Sequence, residues 1–437
     1  MKTCEKLCTQ DFHKMLLDEN VHIDCVELST LPSILQFLGV NKIIKKDLEE
    51  KCVITYDDSD NMIYILKDNT GTTEDQCMIA RVEKTLRDCT TSPILINKDL
   101  FKTLVNFLDI KISEEKSLLN PTQEEMIHLL NERFIKIPPA TTVSLNKFEE
   151  RSFIIKDLQK NLERKHLKIY VKDRSIYIKM RNFIIEIDVS SKIYGCFRSE
   201  DLDLCVGEEF YIYIDKENDI VIKRIGEKTR REISIRHNIK SFDKILYSQP
   251  LGYNIEEFKE NIKLRNWWIS LTDPYKTLFL ILSSHPYAEY EVYKDLDIIS
   301  KSNSLILRIE SDLDLASPWS RSMKTIEPVE TEYHIIDERP LLTISPKKIM
   351  IHDIWIDSDK ELYMLLINNS RKTYPVTIIS SGYLGKTRIL YKKGFWEDLY
   401  SEFNRLNFSM PPHSMALLNI EKIEKKISLF KKLSVRY

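Results

Sequence analysis

Five aspartates, Asp312, Asp314, Asp353, Asp357 and Asp359, fall in two short polar segments about forty residues apart, a set of carboxylates that could hold a divalent cation. Aspartate is equally at home in turns, where its side chain bonds nearby backbone, and that is the expected role here. Near the start, Cys4, Cys8 and His13 are zinc-type donors without a fourth at the usual spacing, although Cys25 lies further on. Reduced thiols in a packed domain account for them more simply, so no metal and no cofactor is expected. No histidine stands with a nucleophile and an orienting acid, and there is no glycine loop to cradle phosphates.

Binding chemistry is better represented. Lys223, Arg224, Lys228, Arg230, Arg231 and Arg236 put six cations into fourteen residues, a density that can neutralise phosphates or serve as a nuclear-import signal. A solvated hairpin with a basic face is the plain alternative. The C-terminal run from Lys422 through Lys425, Lys426, Lys431, Lys432 and Arg436 interleaves cations with Ile, Leu and Phe in the same way. Trp267, Trp268, Tyr275, His285 and Tyr287 could stack on unpaired bases. Their apolar neighbours from Leu278 to Leu282 favour core packing instead.

The elements that must position these residues read as mainly β, after an N-terminal region of mixed α+β character. Residues 1–145 form that region. Within it, Leu31–Leu38 has helical spacing and Val53–Leu66 holds two strand-like runs around Asp57–Asn61. Asn120-Pro121-Thr122-Gln123 has the composition of a helix start, followed by Met126, Leu129, Leu130 and Phe134 on one face. Pro138-Pro139 opens a linker. Residues 146–260 alternate apolar and polar in Leu167–Lys172 and Ser175–Met180, and again either side of Asp215–Asp219, as in a sandwich or barrel. Cys196 and Cys205 read as small core residues there. Residues 261–437 repeat the habit, so two antiparallel β domains in tandem are expected. Within the second, Leu362–Ile367 and Tyr374–Ile379 read as a hairpin across Asn368-Asn369-Ser370, with Leu366 buried.

A net charge of −2 with 30% charged residues describes an ordinary surface and argues against a global nucleic-acid binder. No apolar run is long enough to cross a bilayer, no signal-peptide core is present, and eight irregularly spaced cysteines do not form a disulfide framework. The chain is therefore expected to be made and kept inside a cell, without a membrane partner.

The segment Ile354-Trp-Ile-Asp357, followed by the strand Leu362–Ile367 and the turn Asn368-Asn-Ser370, resembles the core of deoxyuridine triphosphatases (dUTPases). In that family an Ile-Asp turn precedes a strand ending in an Asn-x-Ser turn. Ser311-Asp-Leu-Asp314-Leu-Ala316 is similar to the family's Ala-Gly-x-Asp-Leu motif. The departures bear on chemistry: Ile354 stands where the family has Gly, and the Tyr-x-Gly that faces the base is missing before Leu362. An Arg-Ser-Gly phosphate motif and a glycine-rich C-terminal arm are missing too. With the tandem β layout, the resemblance points to herpesvirus dUTPase-related proteins, in the betaherpesvirus branch that assists replication at the lytic origin, in its roseolovirus form. It implies a non-enzymatic factor of the host nucleus, able to shuttle to the cytoplasm. Such a factor would bind nucleic acid and other viral replication or regulatory proteins and self-associate. A tegument-type interaction module and a divergent nucleotide hydrolase are the alternatives.

Overall fold

The computed structural model describes residues 52–57, 62–67 and 96–422, the last with short internal gaps. The chain is mainly β, with several antiparallel sheets, as its alternating runs imply. The two runs around Asp57–Asn61 pair as Cys52–Asp57 with Met62–Lys67. The readings at Leu31–Leu38, and at Cys4, Cys8, His13 and Cys25, lie outside the described residues.

The largest body is one fifteen-stranded sheet running from Asn161 to Glu310. Its strands alternate so that Ile169, Val171, Ile176, Ile178, Ile185 and Ile187 face a common interior. The sheet curls until its ends meet, where Gln159 and Cys196 exchange backbone bonds of 2.8 and 2.7 Å. Closure of this kind removes the edges that would otherwise template aggregation. The boundary expected near residue 260 falls inside this sheet: Ile262–Asp273 pairs with Lys244–Gln249 and with Leu278–Val292. Cys196 and Cys205 are buried, as expected of core residues, but they sit opposite one another on neighbouring strands and form a disulfide.

What surrounds this sheet in sequence is a duplicated unit. The first copy comprises Ile112–Leu119, Met126–Leu130, Arg133–Ile137, Thr142–Ser144 and, from beyond the sheet, Val329–Ile335. The second comprises Leu362–Asn368, Tyr374–Ser380, Arg405–Met410, Ser414–Ile420 and Met350–Ile356. Their registers coincide. Met126 pairs with Ile137 as Tyr374 pairs with Met410, and Leu118 with Val143 as Leu366 with Ala416. Val329 pairs with Leu119 as Met350 with Ile367, but a bulge lies on Ile112–Leu119 in the first copy and on Met350–Ile356 in the second, so the far ends of these pairs, Ile335 with Ile112 and Ile356 with Leu362, are two residues out of step. The two units repeat one strand layout, but they are not successive domains. The fifteen-stranded sheet is inserted into the first copy, between its fourth strand and the strand that completes it.

The two expected secondary-structure details in these units need correction. Asn120 opens a turn between strands instead of capping a helix. Met126 and Ile127 are both buried, one in the unit's own core and the other against the insert. A strand covered on both faces is continuously apolar and can imitate helical spacing. Leu362–Asn368 and Tyr374–Ser380 do not form a hairpin. The first pairs with Met350–Ile356 and Ser414–Ile420, the second with Leu342–Ser345 and Arg405–Met410. The chain crosses from one sheet to another at Asn368–Tyr374, and Leu366 is fully buried in the core the two sheets share.

Candidate functional site

The densest set of charged side chains lies where the insert meets the body. The paired strands Phe210–Ile214 and Ile220–Arg224 are joined by Asp215–Asp219. Asp215 Oδ1 accepts the backbone N–H of Glu217 at 2.9 Å and of Asp219 at 3.0 Å, which tightens the loop and turns its acids to one side. Asp215, Glu217 and Asp219 bring a ligand oxygen each to within 4.8 Å of one another, close enough to hold a metal ion. An ammonium sits among them instead. Lys324 Nζ is 2.5 Å from Asp215, 3.3 Å from Glu217 and 2.6 Å from Asp219. Its three N–H groups match three carboxylates, so the loop is a hub of ion pairs.

Further cations complete the hub. Arg308 lies 3.0 Å from Asp219, and Arg321 contacts Asp219 and, at 3.4 Å, Glu217. Lys347, which leads into the second unit, bonds Glu124 of the first unit's turn at 2.7 Å and reaches Glu217 at 3.6 Å. Burial alone would raise the Asp219 carboxyl, but Lys324, Arg321 and Arg308 outweigh it and hold the group below its ordinary value. The balance tips the other way at Glu124, where burial dominates and the carboxyl is raised. Burial opposes the charge on Lys324 as well, yet Asp219 and Asp215 hold its pKa above the usual lysine range. The cations come from three separate stretches of chain, Arg308, Arg321 with Lys324, and Lys347, so the chemistry available here is cohesion between insert and body.

The expected phosphate-binding patch is divided by the same joint. Lys223 is fully buried, with Nζ 2.8 Å from the Ile326 carbonyl and 3.4 Å from Glu327. Burial lowers its pKa against the opposing pull of Glu327. Arg224 is also buried, with its guanidinium over the Phe210 ring. Neither can reach a phosphate, and both leave the proposed patch. The reason is the strand they share: all five residues of Ile220–Arg224 are buried, because one face meets the insert's core and the other meets the body. The apolar pairing of Tyr211, Tyr213 and Val221 on the second face was the sequence signal for this. Lys228, Arg230 and Arg231 lie outside the described residues. Arg236 remains at the surface, with ion pairs to Asp297 at 3.3 Å and Glu186 at 3.8 Å.

The residues that carry the dUTPase resemblance are used structurally. Asn368 Oδ1 accepts the Ser370 N–H at 3.0 Å and lies 2.8 Å from its hydroxyl. The Asn368 amide nitrogen lies 2.9, 3.2 and 2.6 Å from the carbonyls of Lys372, Met410 and Pro411. Asn120 does the same in the first unit: Oδ1 is 2.9 Å from both the N–H and the hydroxyl of Thr122, and the amide faces Glu124, Ile137 and Pro138. Asp357 Oδ1 accepts the Glu361 N–H at 2.9 Å, closing a turn. Asp312, Asp314 and Asp359 lie outside the described residues. Trp267 and Trp268 are buried, in line with core packing. The side chains of Tyr275, His285 and Tyr287 are not among those described.

No family model and no curated protein matches the chain. Among solved structures, it is similar over 73% of its length to an alpha-mannosidase from Enterococcus faecalis, at 8% identity and a TM-score of 0.38, and covers about half (52%) of that chain. A family 81 glycoside hydrolase from Clostridium thermocellum aligns over 59% of this chain and 36% of its own, at 6% identity and a TM-score of 0.18. These likenesses are too slight to bear on fold or activity.

Proposed function

We propose that this protein is a non-enzymatic binding factor built on a duplicated dUTPase-like unit, of the kind herpesviruses use to support DNA replication in the host nucleus, and that it acts through nucleic acid and other viral proteins. The observation that carries this reading is the pair of equivalent turns. In both copies, the polar side chains of the Asn-x-Ser/Thr turn are buried and bonded to one another, to the turn's own backbone and to the end of the neighbouring strand, so nothing in them is left facing a nucleotide. The acidic loop, whose carboxylate spacing would suit a metal ion, is filled by Lys324. The duplication itself supports the resemblance, which rests on a lineage with paired units.

Phosphate contact falls to Lys228, Arg230, Arg231 and Arg236, now without Lys223 and Arg224. Each neutralised phosphate releases counterions, so affinity should fall steeply with salt. Replacing Arg230 and Arg231 with Glu should weaken binding at all sequences alike, since phosphate contacts carry little base information. Gel-shift titrations of the full chain at two salt concentrations test this. Salt-independent binding, or none by the wild type, would leave the interaction-module alternative standing.

A further inference from the structure

The outer face of the inserted sheet carries a cross-strand row that crosses six strands. Asn161, Tyr170, Tyr177, Glu186, Arg236 and Asp297 are successive partners in register. Their sequence neighbours Ile169, Ile176, Ile178, Ile185, Ile187 and Ile235 are buried inside, so the row points to solvent. At its centre the rings of Tyr170 and Tyr177 stack, with centroids 4.6 Å apart and planes inclined by 2°. The Tyr177 hydroxyl donates to Glu186 at 2.8 Å, which fixes that ring, and Tyr170 lies over it with 43% of its surface open.

Cations flank the rings on the same face. Lys168 and Lys179 are partners in the adjacent row, with Ile184 beside them, and Lys172 lies two residues beyond Tyr170. The acids nearby are already engaged: Glu163 with Lys168 at 3.0 Å, Asp188 with Arg174 at 2.9 Å, and Asp297 with Arg236. Lys172 and Lys179 are exposed and have no ion pair among the described residues.

We infer that this face is a platform for single-stranded nucleic acid, with a base stacked on Tyr170 and phosphates on Lys172 and Lys179. The inference rests on the nucleic-acid reading above and names its surface. Stacking on a flat, pre-ordered aromatic pair is open to any unpaired base and closed to bases already stacked in a duplex. The lysines complement phosphate and not an apolar or basic protein surface. Arg236, the one described cation left exposed from the sequence-derived patch, stands in the same row.

The test is fluorescence anisotropy of the full chain with a labelled oligothymidine strand and with a duplex of equal length. Wild type should bind the single strand more tightly. Tyr170→Ala with Tyr177→Ala should weaken that binding by about tenfold or more. Tyr170→Phe with Tyr177→Phe, which keeps both rings, should leave it nearly unchanged. Lys172→Glu with Lys179→Glu should lower the salt slope by about one for each phosphate no longer bound. Undiminished single-strand binding by a folded alanine double variant would overturn the platform while leaving the general nucleic-acid reading intact. Equal loss in the phenylalanine variant would likewise overturn stacking as its basis. Failure of wild type to bind either probe would overturn both.

Discussion

The two copies of the repeated unit share a backbone and differ in what covers them. In the first, Leu129 pairs with Phe134, and both pack against the insert, with the Phe134 ring edge-on to Tyr211 at 5.3 Å. At the equivalent place in the second, Thr377 pairs with Asn407 and donates its hydroxyl to the Asn407 oxygen at 2.8 Å, in water. Ile127 is buried where its counterpart Pro375 is exposed. The turn residues, which hold the unit together, are kept in type in both copies. The outer face is apolar where it carries the insert and polar where it meets solvent. A shared frame is thus set by a few buried hydrogen bonds, and side-chain polarity on one face decides whether the frame serves as a support or as an end.

The largest effect should come from the ion-paired joint between the first copy and the insert. Lys324→Met leaves Asp219 and Asp215 facing one another without their common cation, and stability should fall by about 3–5 kcal/mol in denaturant titrations. Loss of cooperativity, with the insert melting separately from the body, would show in the same curves. Leu366→Ala, in the core of the second copy, should cost about 2–5 kcal/mol through the cavity it leaves. Replacing Asn120 or Asn368 by Ala probes what the copies have in common. Each leaves buried carbonyls without a donor and should cost at least about 1–3 kcal/mol, by similar amounts in the two copies. A large cost at one turn and none at the other would break the equivalence drawn from their registers.

Acid sharpens the same contrast. The Asp219 and Glu217 carboxyls are both held below their ordinary values, for burial is outweighed by cations at each, led by Lys324. A depressed carboxyl stabilises the fold above its unfolded pKa, and that contribution is lost as pH falls through the folded value. Stability should therefore decline below about pH 4, as these groups take up protons. Glu124 acts in the opposite sense, since its raised carboxyl favours the fold on protonation. In the Lys324→Met protein the Asp219 part of the acid-dependent slope should shrink, as urea midpoints across the acid range would reveal. The smallest effect is expected at the outer face of the second copy, where Thr377→Val should change stability by less than about 0.5 kcal/mol.

Local features of this arrangement were legible in the sequence. The alternation in Leu167–Lys172 and Ser175–Met180 gives their pairing around Asp173-Arg174, and Phe210–Ile214 pairs with Ile220–Arg224 across Asp215–Asp219 as their spacing suggests. What could not be read is non-local. The strand Val329–Ile335 completes a unit begun far earlier in the chain, at Ile112, and no periodicity announces that partner. The Asn120 and Asn368 turns share chemistry and little identity, so the first hides behind the composition of a helix cap. Lys223 looked like a surface cation because its charge was weighed and its strand was not: Tyr211, Tyr213 and Val221 already marked a second buried face.

If the polar residues of the dUTPase-like turns hold structure and perform no catalysis, the protein should be inert toward the nucleotide that the family hydrolyses. The most direct test is turnover of deoxyuridine triphosphate by the purified full chain with magnesium present. No release of pyrophosphate above the uncatalysed rate is expected, and the same result for Asp357→Asn. Turnover that is abolished by Asp357→Asn, in a variant that remains folded, would contradict this structural role.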